Sequence, residues 1–203
     1  MIIAGAGGHA RELIDLINPA ADEGTYFLFD NVTGSLPNEI GGLAILRTEA
    51  EAQKILKEDP RFIIGTGIPS VRRKLHDLFT SWGGKAHTVI SPHAFVSRQH
   101  STIEAGVNIM SFSFISNYVH IGAGSLINTR ATVHHDVRIG AFCEVGPGAI
   151  LLGKVSTGDN VFIGAGAVIL PGIAIGDNAV IGAGSVVTKN VAAGKTVKGN
   201  PAG

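Results

Sequence analysis

The amino-acid sequence predicts two folds in one chain: a small Rossmann-like α/β domain, followed by an all-β parallel β-helix. From Ile90 onward, aliphatic side chains recur every six residues, and a hexapeptide period is typical of a β-helix. Before that point the period is absent. Strand-like apolar runs alternate there with helical runs, as in a parallel sheet covered by helices. We predict a first domain over 1–85 and a second over 86–203.

The first domain shows the alternation of a short βαβ unit. Apolar runs bounded by turn residues predict strands, and stripes of apolar residues at helical spacing predict helices. Thr48 followed by Glu51 is a capping box, and Pro19 and Pro69 suit a helix end and a helix start. We predict strands over 1–5, 26–30 and 61–65 and helices over 11–18, 48–57 and 69–81. This domain is too short for a complete dinucleotide-binding fold.

The second domain follows the six-residue period closely. Hexads begin at Ile90 and Val96, and one inserted residue moves the next start to Ile103. Every sixth position is then aliphatic as far as Val187, with Thr157 as the exception. Three hexads would form one triangular coil with an inward aliphatic side chain on each face, and stacked coils would bury these side chains. A sandwich of short strands would not keep this strict period.

Composition excludes several classes of function. The net charge is zero, whereas a nucleic-acid-binding protein needs a basic face for phosphate contacts. No apolar run is long enough to cross a membrane, and no signal peptide precedes the first predicted strand. Cys143 is the one cysteine, so no internal disulfide can form, which fits a reducing compartment. We expect a cytoplasmic protein.

A glycine-rich turn, Gly5-Ala6-Gly7-Gly8-His9-Ala10, joins the first predicted strand to the first helix. Backbone N–H groups at Gly7 and Gly8, together with the helix N-terminus, can hold a phosphate. Asp30 ends the second strand about twenty residues later, where a carboxylate could bind a ribose or the edge of a nucleobase. Thr66 follows the third strand and is either a further contact or a polar turn residue. Beside a β-helix, a nucleotide-linked sugar is a better ligand than a dinucleotide.

The run most specific to a known family is Ile127-Asn128-Thr129-Arg130-Ala131-Thr132-Val133-His134-His135-Asp136, and a second run, Val197-Lys198-Gly199-Asn200-Pro201-Ala202, stands just before the C-terminal Gly203. With the repeat and the glycine-rich turn, these runs resemble the left-handed β-helix acyltransferases with hexapeptide repeats. The resemblance is to the sugar branch, which contains nucleotide-activated 4-amino-sugar N-acetyltransferases and sialic acid O-acetyltransferases. It implies a left-handed β-helix, acetyl-coenzyme A as the cosubstrate, and a homotrimer with active sites between adjacent β-helices.

The resemblance also assigns the catalytic pair. It places the general base on His135 and an acidic partner, which orients the imidazole, on Asp136. His134 stands one place before the matching position and is the weaker candidate. Neighbouring histidines in a strand point apart, and no spaced Cys/His cluster is present, so we expect no metal site. Taken alone, two adjacent histidines are more often surface residues on a turn, and their place in the matching run is what favours a catalytic role.

Further residues are assigned by the same resemblance. His9 matches a family histidine near the active site, and the backbone N–H of Gly153 is placed against the thioester carbonyl. Ala165 and Ala183 match positions that line the pantetheine arm, although glycine and alanine are also common in β-helix turns. Cys143 occupies a small inward hexad position, so we expect a core residue rather than a nucleophile.

Three functions remain open at this stage. The leading one is an acetyl-coenzyme A-dependent N-acetyltransferase that acts on a nucleotide-linked amino sugar, of the 4-amino-4,6-dideoxy class. An O-acetyltransferase for sialic acid or another sugar would use the same base, but the phosphate-binding turn favours the first. The third is a trimeric β-helix scaffold without catalysis. Its support is Glu144, which stands where relatives often carry a second histidine near the thioester.

Overall fold

The computed structural model describes residues 1–17 and 25–203. These residues form two compact units, one made of Met1–Gly67 and Val71–Val89, the other of Ile68–Ser70 and Ile90–Gly203. The predicted helix end at residues 18 and 19 lies outside the described residues. No helix in the described part of the chain is long and apolar enough to cross a membrane.

The N-terminal elements form a six-stranded sheet with helices between the strands. The sheet order is β3-β4-β2-β1-β5-β6, and every pair is parallel except the β3–β4 hairpin. The predicted parallel sheet with helices is therefore confirmed, whereas the hairpin and β6 were not predicted. The elements are β1 (Ile2–Ala4), α1 (Gly8–Ile17), β2 (Phe27–Phe29), β3 (Glu39–Ile40), β4 (Leu43–Leu46), α2 (Glu49–Glu58), β5 (Arg61–Ile64), α3 (Pro69–Ser81) and β6 (Lys85–Ala86).

Two turns approach each other closely at the carboxyl ends of β1 and β5. Gly5 has φ 124, and a Cβ there would lie 2.8 Å from the carbonyl oxygen of Gly65, so only glycine fits this position. The tight turn lets α1 begin at Gly8 instead of the predicted residue 11, because the Arg11 amide already donates to the Gly7 carbonyl at 3.3 Å. His9 therefore lies on the first turn of a helix.

The remaining strands each contain two residues and build a parallel β-helix. They belong to sheets of seven, six and five strands in the described chain, and each strand pairs with the strand eighteen residues away along most of the helix. The strands are β7 (Val89–Ile90), β8 (Phe95–Val96), β9 (Thr102–Ile103), β10 (Asn108–Ile109), β11 (Phe114–Ile115), β12 (His120–Ile121), β13 (Leu126–Ile127), β14 (Thr132–Val133), β15 (Arg138–Ile139), β16 (Glu144–Val145), β17 (Ile150–Leu151), β18 (Ser156–Thr157), β19 (Phe162–Ile163), β20 (Val168–Ile169), β21 (Ala174–Ile175), β22 (Val180–Ile181), β23 (Val186–Val187) and β24 (Thr196–Val197).

From β10 to β23, the second residue of each strand except Thr157 is buried in the core, as the hexad pattern predicted, whereas Ile90 at the start of the β-helix is 44% exposed. Ile109, Ile127 and Val145 form one such ladder, and all three are fully buried. The exception, Thr157, uses its hydroxyl oxygen to accept a hydrogen bond from the Gly140 amide at 3.1 Å. Cys143 is also fully buried in this core, which confirms its predicted role.

The turns between the strands stack into three corners that run along the helix. Within each corner, a backbone amide of one coil donates to a carbonyl of the preceding coil; the Lys154 amide, for example, donates to the His135 carbonyl at 3.0 Å. Corner 1 contains Ala123, Ala141, Asp159 and Asp177, corner 2 contains Thr129, Pro147, Ala165 and Ala183, and corner 3 contains Asn117, His135, Gly153 and Pro171.

Candidate active site

His135 and Asp136 form a hydrogen-bonded pair on corner 3. The Nδ1 atom of His135 lies 2.8 Å from Oδ2 of Asp136, and both side chains are partly exposed. Neighbouring side chains in a strand point to opposite faces, but Asp136 has φ 61 and lies in the left-handed region. This turn brings the carboxylate back to the imidazole. When Nδ1–H donates to the carboxylate, Nε2 is left as a proton acceptor.

Gly153 lies one coil after His135 on the same corner and touches its ring. A Cβ at Gly153 would lie 2.6 Å from Cε1 and 2.8 Å from Nε2 of His135. The imidazole therefore rests directly against the glycine backbone. Within residues 1–17 and 25–203, the Gly153 amide N–H makes no hydrogen bond. A hydrogen-bond donor and a candidate general base thus lie side by side, as acyl transfer requires.

Ala165 and Ala183 lie on corner 2 and not on the corner of His135. They stack one coil apart, with the Gly184 amide donating to the Ala165 carbonyl at 2.8 Å, and both are exposed. Beside them, Gly148, Gly166 and Gly184 leave open space, since a Cβ on any of them would meet nothing within 4 Å. Corner 2 therefore presents a strip of small, exposed residues.

Three other candidate residues, His134, Glu144 and Cys143, form no hydrogen bond with the His135–Asp136 pair. His134 packs its ring against Phe114, with the ring centroids 6.5 Å apart. Glu144 is buried on β16, in a different sheet from the strands that flank His135. Burial raises the pKa of the Cys143 thiol to about 11, so this thiol stays protonated and is a poor nucleophile at neutral pH.

The N-terminal unit contains a cavity of 370 Å³ at the carboxyl ends of its central strands. All five residues that the sequence predicted to bind substrate line this cavity: Gly7, Gly8, His9, Asp30 and Thr66. A Cβ at Gly7 or Gly8 would meet nothing within 4 Å, so a ligand can approach the backbone closely there. Helix α1 begins at this point, and its first N–H groups favour an anion.

His9 is an uncharged histidine in the wall of this cavity at neutral pH. Burial lowers its pKa, and the positive charge of Arg72 acts in the same direction, while the hydrogen bond to Glu12 opposes both. The Nδ1 atom of His9 lies 3.4 Å from Oε2 of Glu12. Hydrogen bonding to His9 in turn lowers the pKa of Glu12. His9 can therefore serve as a neutral hydrogen-bonding group rather than as a cation.

Arg72 was not identified from the sequence, although it supports this cavity. The side chain is fully buried on α3, and Nη1 donates to the Thr66 carbonyl at 2.6 Å. No local sequence pattern predicts that an arginine is buried, because arginine on an amphipathic helix is usually exposed. Arg72 fixes the turn after β5, and with it the position of Thr66.

Comparison with known proteins gives the family. Residues 1–79 match the PglD N-terminal domain, residues 118–153 match the bacterial transferase hexapeptide (six repeats), and residues 154–189 match the hexapeptide repeat of succinyl-transferase. The crystal structure of PerB from Caulobacter crescentus, in complex with CoA and GDP-perosamine, is 31% identical and has a TM-score of 0.90, and the match covers 100% of this chain and 95% of PerB. The chain belongs to the hexapeptide-repeat sugar acetyltransferases.

Other members of this family are similar over the same length. The acetyltransferase domain of PglB from Neisseria gonorrhoeae, in complex with acetyl coenzyme A, and WeeI from Acinetobacter baumannii are each 28% identical. Each has a TM-score of 0.89, and each match covers 100% of this chain and 97% of the other. These likenesses confirm the predicted fold, an α/β domain followed by a left-handed parallel β-helix. No curated protein sequence was found to match the chain.

Proposed function

We propose that this acetyltransferase moves the acetyl group of acetyl-coenzyme A to the amine of a nucleotide-linked amino sugar, of the 4-amino-4,6-dideoxy class. The observation that carries the proposal is the corner where the His135–Asp136 pair meets the Gly153 backbone. The family comparison supports the substrates, since PerB was solved with CoA and GDP-perosamine. A nucleotide-sized cavity on the N-terminal unit supports the acceptor as well.

The chemistry of the proposed reaction follows from corner 3. Acetyl-coenzyme A supplies the acetyl group, and its thiol is the leaving group. As the sugar amine attacks, Nε2 of His135 takes the proton that the amine loses. Asp136 accepts from Nδ1–H, holds the ring in this tautomer and stabilises the positive charge that it acquires. The Gly153 N–H donates to the carbonyl oxygen as negative charge develops on it.

The two corners support a proposed assembly. Gly153 lies on corner 3, while Ala165 and Ala183 lie on corner 2 of the same helix. A single pantetheine arm that meets all three residues must therefore run between two copies of the chain, with corner 3 of one copy facing corner 2 of the next. Head-to-tail contact of this kind closes into a ring when the rotation between neighbouring copies divides a full turn, and three copies related by 120° meet this condition. We propose the homotrimer that the sequence resemblance implied.

We propose that each of the two domains binds one of the two substrates. Residues 1–85 hold the nucleotide sugar, with Gly7, Gly8 and the α1 N-terminus around the diphosphate, Asp30 at the ribose, and His9 and Thr66 as further contacts. Residues 86–203 bind acetyl-coenzyme A and carry the catalytic pair. We also propose a cytoplasmic location, since Cys143 is a buried free thiol of the kind that a reducing compartment preserves.

The proposal is tested by thiol release from acetyl-coenzyme A with a panel of nucleotide-linked 4-amino sugars, and with sialic acid as a hydroxyl acceptor. We expect release with one amino sugar, together with a mass gain of one acetyl group. Release with sialic acid alone would replace the proposal with O-acetylation. No release, combined with no binding of coenzyme A, would favour a scaffold.

Two adjacent histidines provide a matched pair of variants. His135→Ala should abolish turnover, because it removes the base and the partner of Asp136. His134→Ala should retain most of the activity, since that ring packs against Phe114 and does not contact the pair. Both variants should keep the wild-type melting temperature within a few degrees. Near-normal turnover of His135→Ala would remove the proposed base.

A further inference from the structure

Five residues on corner 2 share one backbone conformation and stack in register along the β-helix. Each amide donates to a carbonyl of the preceding coil; the Arg130 amide, for example, donates to the Ser111 carbonyl at 3.2 Å. All five have φ values from 57 to 67, so their Cα–Cβ directions run parallel. We call this set the corner-2 ladder and each member a rung. In chain order the rungs are Phe112, Arg130, Gly148, Gly166 and Gly184.

The corner-2 ladder changes from large residues to glycine part-way along. At Gly148, Gly166 and Gly184 the Cβ direction points into open space, since a Cβ there would meet nothing within 4 Å. At the two earlier rungs, long side chains occupy this same direction. Arg130 is exposed, and Phe112 is 64% exposed and stacks on His93 with ring centroids 5.7 Å apart. The open space along the glycine rungs therefore ends at Arg130.

The end of this space coincides with the level of the proposed base. Arg130 and His135 belong to one coil, and Gly148 and Gly153 hold the same places on the next coil. In the proposed ring, rotation about the common axis keeps equivalent residues of all copies at one height. Where corner 2 of one copy faces corner 3 of the next, Gly148 is thus level with Gly153, and Arg130 with His135.

This register determines what the acyl group of the donor meets. In the proposed mechanism, the pantetheine arm comes from the later coils and places the thioester carbonyl at Gly153. The carbon atoms beyond the carbonyl then continue towards the earlier coil, and so towards the Arg130 rung. Adjacent rungs are about 4.8 Å apart, and with C–C bonds of about 1.5 Å this step spans about four carbon atoms of an extended chain. An acetyl group ends before the Arg130 rung, whereas a hexanoyl group reaches it.

The Arg130 side chain opposes a longer acyl chain by its bulk and by its charge. Within residues 1–17 and 25–203, its guanidinium makes no hydrogen bond or ion pair, so water satisfies its donors. Apolar carbon atoms packed against it would displace that water and leave the cation without a partner, which is costly. The short acetyl group does not incur this cost.

We propose that Arg130 of the neighbouring copy closes the acyl end of the donor site, and that it selects acetyl-coenzyme A over donors with longer aliphatic acyl chains. This inference rests on the proposed function, since it requires the donor to lie between corner 3 of one copy and corner 2 of the next. It adds the residue that sets the length of the transferred group.

The test is calorimetric titration of the full chain with acetyl-, hexanoyl- and succinyl-coenzyme A, in the absence of any acceptor. The wild type should bind hexanoyl-coenzyme A at least tenfold more weakly than acetyl-coenzyme A. Arg130→Gly should remove this difference, because it extends the open space by one rung. Glycine suits the left-handed backbone of this position, so the melting temperature should not fall.

Phe112→Gly is the matched control, since it places the same residue on the same ladder one coil farther from the donor. Arg130 still closes the path in this variant, so the ratio of the two affinities should equal that of the wild type. A Phe112→Gly ratio that changes as much as that of Arg130→Gly would overturn the inference, because it would indicate a general loosening of corner 2.

Three other results would also overturn it. The first is Arg130→Gly that discriminates against hexanoyl-coenzyme A as the wild type does, and the second is a wild type that binds none of the three donors. The third is a wild type that binds succinyl-coenzyme A more tightly than acetyl-coenzyme A, because the guanidinium would then bind the carboxylate of the acyl group. Since no acceptor is present, the outcome is independent of transfer. A chain that discriminates donors through Arg130 but acetylates no amino sugar would keep this inference and lose the proposed activity.

Discussion

Replacing Gly153 by alanine tests the contact on which the proposed mechanism depends. The new Cβ would lie 2.6 Å from Cε1 of His135, whereas carbon atoms rest about 3.5 Å apart or more. The ring must therefore withdraw by about 1 Å. A displacement of this size can reduce a rate about 100-fold, which corresponds to about 3 kcal/mol in the activation free energy. We expect kcat to fall by that factor.

The assay is thiol release at saturating concentrations of both substrates, with the melting temperature measured in parallel. The melting temperature should change by a few degrees at most, because the exposed His135 ring can move without opening the core. If Gly153→Ala acts through His135, combining it with His135→Gln should lower kcat no further than His135→Gln alone. Wild-type turnover by Gly153→Ala would refute the contact, and additive losses would show that Gly153 acts independently of the base.

Three further predictions follow from the same structure. Asp136→Asn keeps a residue that tolerates the left-handed conformation but removes the carboxylate, so kcat should fall at least tenfold with an unchanged melting temperature. The Cys143 thiol, with its pKa raised to about 11 by burial, should resist alkylation by iodoacetamide at pH 8, as mass spectrometry can show. Burial holds the pKa of His9 below 6.5, so the unfolded chain binds this proton more readily, and the free energy of unfolding should fall as pH drops below that value. Denaturation at pH 7.5 and 5.5 measures this loss, which His9→Gln should reduce.

The β-helix could be predicted because each coil packs against its neighbours in the same way. Each coil meets the next through inward aliphatic residues in register, as Ile163 meets Ile181, so the sequence displays the period directly. The C-terminal end of the β-helix departs from this period. Val191 pairs with Ile175 and Val197 with Ile181, so the last coil is two residues shorter than the others. The hexad count alone could not show this change, because the shorter coil still places a valine in the core.

The N-terminal unit was less predictable, since the elements that were not predicted from its sequence are short. The β3–β4 hairpin turns at Gly41 and Gly42, with φ values of 59 and 77, and two glycines between apolar residues are a recognised hairpin signal. Strand β3 has two residues, too few to show an alternating pattern. The loop that precedes it is held by Arg47, which contacts carbonyls ten or more residues away. Contacts between residues this far apart along the chain produce no pattern in the local sequence.

The geometry of the proposed catalytic pair depends on the corner and not on the strand. In a strand, His135 and Asp136 would face opposite sides of the sheet. On corner 3, Asp136 adopts the left-handed conformation, as Tyr118 and Lys154 do on the coils before and after. The Asp136 side chain therefore folds back towards His135. The sequence shows the two residues and their place in the hexad, but it does not show that they touch. The stacking of coils then supplies the third component, because the residue eighteen positions after the histidine lies directly over its ring. With glycine at that position, the proposed base, its carboxylate partner and a backbone donor converge within one corner.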